Sequence, residues 1–205
     1  MDNTTRSERT KAAVIQAALA IIARDGAGRL TLDAIAKESG VSKGGLLHQF
    51  PNKRAVLAAL LEYQADYYTR FAEAFMEAHG ADYVEPALAA QIAVFREVVK
   101  GANSIAFAIL AVAAQEPTFM SPVRVRDEET VALIRKQARN PARSLSRLFS
   151  ARGLALSAML GTCPLGDAER EQMFDYLLDD RNWPADPAAA PAPAAKPRRS
   201  RRTPS

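Results

Sequence analysis

The residues best suited to chemistry lie in one short polar run in the first quarter of the chain. These residues are Ser42, Lys43, Gly44, Gly45, His48 and Gln49. Lys43 can donate to guanine edges or phosphates, and two adjacent glycines allow another backbone to approach closely. Each glycine inside a helix lowers the stability of the helix by roughly 1 kcal/mol relative to alanine. A helix that only packs against its neighbours gains nothing that would offset this loss. The run therefore predicts a surface that contacts DNA, and an ordinary helical hairpin with a solvated polar face is the alternative.

The same residue types offer little for catalysis. The two histidines, His48 and His79, lack the preceding glutamate of a di-iron helix motif, and Cys163 has no second cysteine with which to bind zinc. Ser42 and His48 have no carboxylate at a useful spacing, and neither common glycine-rich phosphate loop is present. We therefore predict no enzymatic activity, no metal and no cofactor, while an all-helical enzyme stays open as an alternative.

Two short helices joined by a tight turn must position the polar run. Thr31 can cap the first helix through its hydroxyl, and Ser42 can cap the second. Gly40 lies where the chain must reverse, because glycine enters left-handed conformations without a Cβ clash. Leu46 and Phe50 give the second helix an inward apolar face. This pattern predicts a helix-turn-helix, in which the second helix enters the major groove of DNA.

The segment from Gly40 to Lys53 resembles the recognition segment of TetR/AcrR-type transcriptional regulators. That family usually has Gly-Val-Ser-Lys-Gly, as at residues 40–44, then an aromatic-rich stretch ending in Phe, a short loop and Lys. Against one subgroup of the family, His48 replaces Tyr and Gln49 replaces His. The resemblance covers about residues 8–60. It implies an all-α fold, with a three-helix DNA-binding head followed by a helical bundle that binds an effector and dimerises.

The resemblance also implies a function and a set of contacts. We expect a homodimeric, ligand-responsive regulator, usually a repressor, that binds a palindromic operator in double-stranded DNA. Lys43, Gly44 and His48 are expected to face the groove, with Thr31, Ser42, Gln49 and Lys53 nearer the phosphates. One phosphate is expected at the helix start that holds Lys53, with a weaker case for Arg54. The predicted DNA-binding residues are Thr31, Ser42, Lys43, Gly44, Gly45, Leu47, His48, Gln49 and Lys53.

The rest of the chain is expected to form the body and its two functional surfaces. A small-molecule effector of unknown identity is expected between the helices of the body. The pocket residues implied by the family are Phe71, Phe75, Phe95, Phe107 and Met120. Dimerisation is expected through the last two helices. The interface residues implied in the same way are Leu145, Leu148, Phe149, Leu156, Met159, Met173, Phe174, Leu177 and Leu178, and packing within one chain is the alternative for both sets.

Charge and composition divide the chain into three parts. Residues 1–60 carry nine Lys/Arg and five Asp/Glu, residues 61–183 carry thirteen and seventeen, and residues 184–205 carry five and one. Basic ends around an acidic middle predict polyanion contact at the ends only. We predict a DNA-binding domain at 1–52, an effector-binding and dimerisation domain at 53–183, and a disordered Ala/Pro/Arg tail at 184–205.

The apolar spacing predicts a helix at each of a series of positions along these domains. Residues 1–7 are expected to lack structure, and residues 104–115 are apolar nearly all round, which predicts a central helix. The predicted helices cover about residues 7–24, 53–78, 86–100, 104–115, 122–138, 142–160 and 167–180, and the two short helices of the helix-turn-helix lie between Leu30 and Lys53. A single cysteine, no secretory signal and no apolar run long enough for a bilayer predict a cytoplasmic protein without membrane contact.

Two further classes of protein remain open from the sequence. A DNA-compacting protein would use the tail cations for non-specific binding. Those cations are Lys196, Arg198, Arg199, Arg201 and Arg202. A ligand-sensing body whose DNA-binding head is no longer used would instead bind no operator.

Overall fold

The structure of the protein, a computed structural model, describes residues 3–101 and 104–183, with side chains from Ser7 onward except at positions 104, 105 and 107. Over these residues the regular structure is entirely helical, which confirms the all-α prediction. The helices are α1 (Asn3–Asp25), α2 (Leu32–Ser39), α3 (Lys43–Gln49), α4 (Lys53–His79), α5 (Pro86–Lys100), α6 (Ser104–Gln115), α7 (Ser121–Gln137), α8 (Pro141–Met159) and α9 (Asp167–Leu178). Short 3-10 turns follow four of them, at Ala27–Arg29, Gly80–Asp82, Pro117–Met120 and Asp180–Asn182.

Side-chain caps fix where several of these helices begin. The hydroxyl oxygens of Thr31 and Ser42 and the amide oxygens of Asn52 and Asn140 each accept a backbone N–H from three residues further on. Each cap satisfies one of the donors that a helix start leaves unpaired. Gly40 has a φ of 68°, so the turn between α2 and α3 uses the left-handed region that the sequence predicted.

The first hydrophobic core belongs to the head. It joins α1, α2 and α3 to the first turns of α4, so it extends beyond residue 52. Its members include Val14, Ala18, Ile22, Leu30, Ile35, Leu46, Val56, Leu57 and Leu60. Ile109 of α6 and Phe119 of the following 3-10 turn pack on the same core.

This packing corrects the prediction that residues 104–115 form a central helix. α6 contacts α1 and α4 on one side, and on the other side Leu110 is 45% exposed. The helix is apolar all round, but it lies at the edge of the fold because only one face meets the head. The central position belongs to α5, whose residues from Ala87 to Ala90 are all buried and which contacts α4, α7, α8 and α9.

The second hydrophobic core lies in the body, around α5, α7, α8 and α9. Its fully buried members include Leu88, Ile92, Ile134, Leu148 and Phe174. α4 connects the two cores: its 27 residues span about 40 Å, from the head to the far end of the body.

Three further predictions concern the two ends of the chain, one side chain of the expected pocket and membrane contact. α1 begins at Asn3, so the prediction that residues 1–7 lack structure is wrong for residues 3–7. The predicted tail at 184–205 and the side chain of Phe107 lie outside the described residues. Among the helices that are described, none has both the length and the apolarity to cross a membrane.

Candidate nucleic-acid interface and effector cavity

Packing of α3 against the head core determines which of its residues face outward. Leu46 is fully buried and Phe50 nearly so, and the helix lies against α1 and α2 on that side. The opposite side carries exposed residues at the positions where a groove-reading helix would need them. They are Ser42, Lys43, Gly44, Leu47 and His48. The predicted DNA-binding residues of α3 thus share one accessible face, apart from half-buried Gly45 and Gln49.

The two adjacent glycines of α3 differ in what surrounds them. A Cβ built at Gly45 would lie 3.2 Å from Ser42 Oγ and 3.4 Å from Val41 Cγ1, so the packing of the turn already favours glycine there. A Cβ at Gly44 would meet nothing within 4 Å. The protein's own packing therefore gives no reason for glycine at 44, whereas close approach of another molecule would.

Lys43 is held by an acid of the neighbouring helix. Its Nζ lies 2.8 Å from Asp33 Oδ1, and hydrogen bonding and charge from Asp33 raise the pKa of the Lys43 ammonium. The side chains are 65% and 76% exposed, so the pair is screened by water and exchanges readily. Asp33 therefore competes with DNA for Lys43, the residue that the sequence analysis assigned to DNA contact. The spacing of residues along the sequence did not predict this pair.

The predicted phosphate-side residues have different local roles. Thr31 Oγ1 and Ser42 Oγ accept the capping N–H bonds of α2 and α3, which leaves each hydroxyl hydrogen available to donate to a phosphate. Gln49 donates from Nε2 to Ser7 Oγ at 2.5 Å, so it braces α3 against α1. Lys53 is exposed in the first turn of α4 and has no ion pair within the described residues.

Arg54 points to the body instead of the predicted phosphate. Its Nε and Nη2 each donate to a carboxylate oxygen of Glu116 at 2.6 Å, and its guanidinium lies 5.5 Å from the centre of the Phe119 ring. Arg54 lowers the pKa of Glu116, mainly through these hydrogen bonds. This clamp joins the start of α4 to the segment after α6. It spans 62 residues of sequence, so no local pattern could have predicted it.

The body contains a cavity of about 410 Å³ between α4, α5 and α7. Its walls are mainly apolar, and Glu73, Gln91, Arg126 and Asp127 add polar groups. Among the predicted pocket residues only Phe95 lines it. The other three predicted residues whose side chains are described do not line this cavity. Phe75 packs in the body core and Met120 against the head core, while Phe71 is half-buried outside the cavity.

The predicted dimer residues divide by burial. Leu148, Phe174, Leu177 and Leu178 are buried in the chain's own core, so they are not available to a partner and their assignment is corrected. Leu145 and Met159 are half-buried. The exposed members are Phe149, Leu156 and Met173, and the neighbouring Leu160 and Tyr176 are exposed as well. The apolar spacing did not separate the inner face of each helix from its outer face.

Comparisons with known proteins bear on the whole chain. Residues 14–60 match the model for bacterial regulatory proteins of the tetR family, and residues 85–180 match the model for the tetracyclin repressor-like C-terminal domain. Together the two matches span most of the chain, and the first model precedes the C-terminal-domain model along the sequence. The chain belongs to the TetR family of transcriptional regulators.

Several solved structures share this fold. A transcriptional regulator from Streptomyces coelicolor A3(2) is 18% identical and has a TM-score of 0.62, with 85% of this chain and 98% of that chain covered. One from Pseudomonas aeruginosa PAO1 is 18% identical, with a TM-score of 0.61 and coverage of 89% and 93%. The multidrug binding protein EbrR, in complex with imidazole, is 17% identical, with a TM-score of 0.59 and coverage of 82% and 94%. No curated protein sequence matches the chain.

Proposed function

We propose that this chain is a ligand-responsive repressor that binds a palindromic operator as a homodimer in the cytoplasm. The observation that carries the proposal is the outer face of α3, where Gly44 has open space above it and Lys43 and His48 stand beside it. An exposed helix face with that composition suits entry into a major groove, with Thr31, Ser42 and Lys53 near the phosphates.

Assembly is proposed through the exposed apolar residues of α8 and α9. Phe149 and Leu156 lie seven residues apart on α8, which is two turns of one helix face, and Met173 and Tyr176 are exposed on α9. Two copies joined by these faces would present two recognition helices to the two halves of a symmetric site. Phe149→Asp should give a monomer in sedimentation, because it places a charge in the interface while leaving the chain's own core intact. A fully dimeric Phe149→Asp variant would move the interface elsewhere.

Control by a ligand is proposed through α4. The same helix contributes Val56 and Leu60 to the head core and Ala72 and Met76 to the wall of the 410 Å³ cavity. A ligand that shifts α4 would change the separation of the two recognition helices, which must match one turn of DNA, about 34–36 Å. Because binding free energies are linked, operator DNA should weaken ligand binding by the same factor as the ligand weakens DNA binding.

Gly44→Ala tests the DNA-binding part of the proposal sharply. Alanine fits the chain's own structure at this position and is the better helix former, so the variant should be more stable, by up to about 1 kcal/mol. If α3 enters the groove, the same methyl group should lower operator affinity. The operator is first isolated by pull-down of fragmented genomic DNA and sequencing, and affinity is then measured by fluorescence anisotropy. A more stable variant with unchanged affinity would contradict close approach at Gly44.

Lys43→Ala and Lys53→Ala separate two kinds of contact. Loss of a base contact should weaken operator binding about 5- to 150-fold and relax specificity, whereas loss of a phosphate contact should weaken all sequences alike. Lys37→Ala is a matched control, since this exposed lysine near the end of α2 is not among the predicted contacts. Binding to random duplex with no sequence preference would favour the DNA-compacting alternative, and truncation after Trp183 would then test the tail cations.

A further inference from the structure

The cavity between α4, α5 and α7 is long and narrow. Its lining residues on α4 run from Ala65 to Met76 and those on α5 run from Ala87 to Val98, which is about 16 Å along each helix. A sphere of that diameter would enclose roughly five times the 410 Å³ of the cavity. The cavity therefore suits an elongated molecule rather than a globular one.

Two uncharged polar side chains in the lining are separated by apolar surface. The Tyr68 hydroxyl lies near the last turn of α5, because a Cβ built at Gly101 would be 3.8 Å from it. Gln91 lies ten residues before Gly101, which is about 15 Å of helix. The lining residues of α5 between these two points are apolar and follow Gln91 at the spacing of one helix face. They are Val94, Phe95 and Val98.

Neither of these two polar groups has a hydrogen-bond partner within residues 3–101 and 104–183. Tyr68 and Gln91 are half-buried and line the cavity, so a molecule inside it can reach both. Burial is the main cause that raises the pKa of the Tyr68 hydroxyl, which therefore stays neutral and, like the Gln91 carboxamide, can both donate and accept. A ligand that covered either group without bonding to it would leave that group desolvated, so each position favours a hydrogen-bonding group on the ligand.

The charged residues of the lining offer little to a charge on the ligand. Asp127 Oδ1 accepts a hydrogen bond from Arg152 Nη2 at 2.8 Å. Arg126 Nη2 lies 3.9 Å from Asp66 Oδ1, and the remaining charged residue, Glu73, is exposed and solvated by water. A charged ligand group would lose its hydration in the mainly apolar cavity and gain only an attraction that solvent screens. The lining therefore favours an uncharged ligand.

We propose that this cavity binds an elongated, uncharged molecule that has an apolar middle and a hydroxyl or carbonyl group towards each end. One of these groups hydrogen-bonds with Tyr68 and the other with Gln91, while the apolar middle packs along the face of α5 between them. The inference rests on the function proposed above, because it gives the chemical class of the ligand for the cavity through which control is proposed.

The test uses the full chain and matched probes that differ in charge. The uncharged probes are diols from 1,6-hexanediol to 1,12-dodecanediol and diphenols from hydroquinone to 4,4′-dihydroxystilbene. A thermal-shift screen selects the probes that raise the melting temperature, and calorimetry then compares each with analogues in which a carboxylate or an ammonium replaces one hydroxyl. For 1,10-decanediol these analogues are 10-hydroxydecanoate and 10-aminodecanol. We expect an uncharged probe to bind and its charged analogues to bind roughly tenfold or more weakly, because nothing in the cavity offsets the lost hydration of the charge.

Four variants make the result specific to the two polar groups. Tyr68→Phe and Gln91→Leu should each weaken binding of the uncharged probe about 2- to 12-fold, the range for one hydrogen bond between uncharged groups. Tyr67→Phe is the matched control, because the Tyr67 hydroxyl donates to Glu97 and this residue does not line the cavity. Glu73→Gln should also leave binding unchanged, since the exposed carboxylate takes no part in the proposed contacts. Unfolding curves of Tyr68→Phe and Gln91→Leu establish that both variants are folded.

The proposal is overturned if no uncharged probe binds, if a charged analogue binds as well as its uncharged parent, or if Tyr67→Phe weakens binding as much as Tyr68→Phe. Operator affinity is measured separately, so failure of this inference differs from failure of the proposed function. A charged analogue that binds in this cavity and releases the operator would overturn the inference alone. An uncharged probe that binds as expected but leaves operator affinity unchanged would support the inference and contradict control of DNA binding through this cavity.

Discussion

Asp33→Asn should increase the affinity of the head for DNA. In the free protein the Asp33 carboxylate holds the Lys43 ammonium at 2.8 Å, and both side chains are largely exposed. Removal of the carboxylate charge frees Lys43 to bind a phosphate or a base edge on the outer face of α3. Since exposed ion pairs contribute little to folding, the variant should unfold at nearly the same denaturant concentration as the natural protein.

The magnitude follows from counterion release. Each additional phosphate contact steepens the plot of log affinity against log salt by about 0.9, so two heads on one operator steepen it by about 1.8. From 50 to 200 mM salt, a fourfold change, the affinity of Asp33→Asn should therefore fall roughly twelvefold more than that of the natural protein. At the lowest salt concentration the variant should bind more tightly.

Fluorescence anisotropy with a labelled operator measures these slopes directly. Glu38→Gln is the matched control, because Glu38 is an acid of the same helix whose partner is Arg24 rather than Lys43. Introduced into Lys43→Ala, the Asp33→Asn change should leave the slope almost unaltered. Equal slopes for the natural protein and Asp33→Asn would refute the argument that Asp33 competes with DNA for Lys43.

Three predictions concern the fold itself. Gly40→Ala should lower the free energy of unfolding by about 1–2 kcal/mol in urea titration, because φ is 68° there and a Cβ is strained in that region. Phe174→Ala should cost about 3–5 kcal/mol by the same measurement, since the side chain is fully buried in the body core and leaves a cavity, whereas a loss below 1 kcal/mol would mean that this core collapses to fill it. Arg54 lowers the pKa of Glu116, so the stability from their pair is complete above the ordinary Glu pKa of 4.5 and is lost as the pH falls through the lower folded-state value. Glu116→Gln should remove that acid-dependent loss, and parallel pH profiles for the two proteins below pH 4.5 would contradict it.

The sequence predicted the helices and the head motif well because both are encoded locally. Caps at Thr31, Ser42 and Asn52 and the left-handed Gly40 act within three residues of their own position. The local pattern also indicated that Gly44 lies in the recognition helix. Only the structure shows that the two glycines differ, because a Cβ would meet open space at Gly44 but close contacts at Gly45.

Contacts between distant segments could not be predicted in this way. The pair of Arg54 with Glu116 joins the two ends of a stretch of 62 residues, and the charge pattern near Arg54 pointed to phosphate instead. The lining of the cavity between α4, α5 and α7 could not be predicted for a related reason. Aromatic residues such as Phe75 were implied by the family resemblance, whereas small residues such as Ala72 line this cavity.

The packing of α6 on the head core has a consequence for building chimeric regulators. A head transplanted at residue 52 would leave behind Ile109 and Phe119, which fill the side of that core facing α6. The first turns of α4 would also stay behind, with Val56, Leu57 and Leu60 of the same core. A new head would therefore pack against an α6 surface that did not evolve with it. Signalling between the head and the body would then depend on how well the new head fits α6. Exchanging residues 1–60 together with residues 104–120 would move the complete unit and keep Arg54 with Glu116, so this graft should keep its response where a cut at 52 loses it.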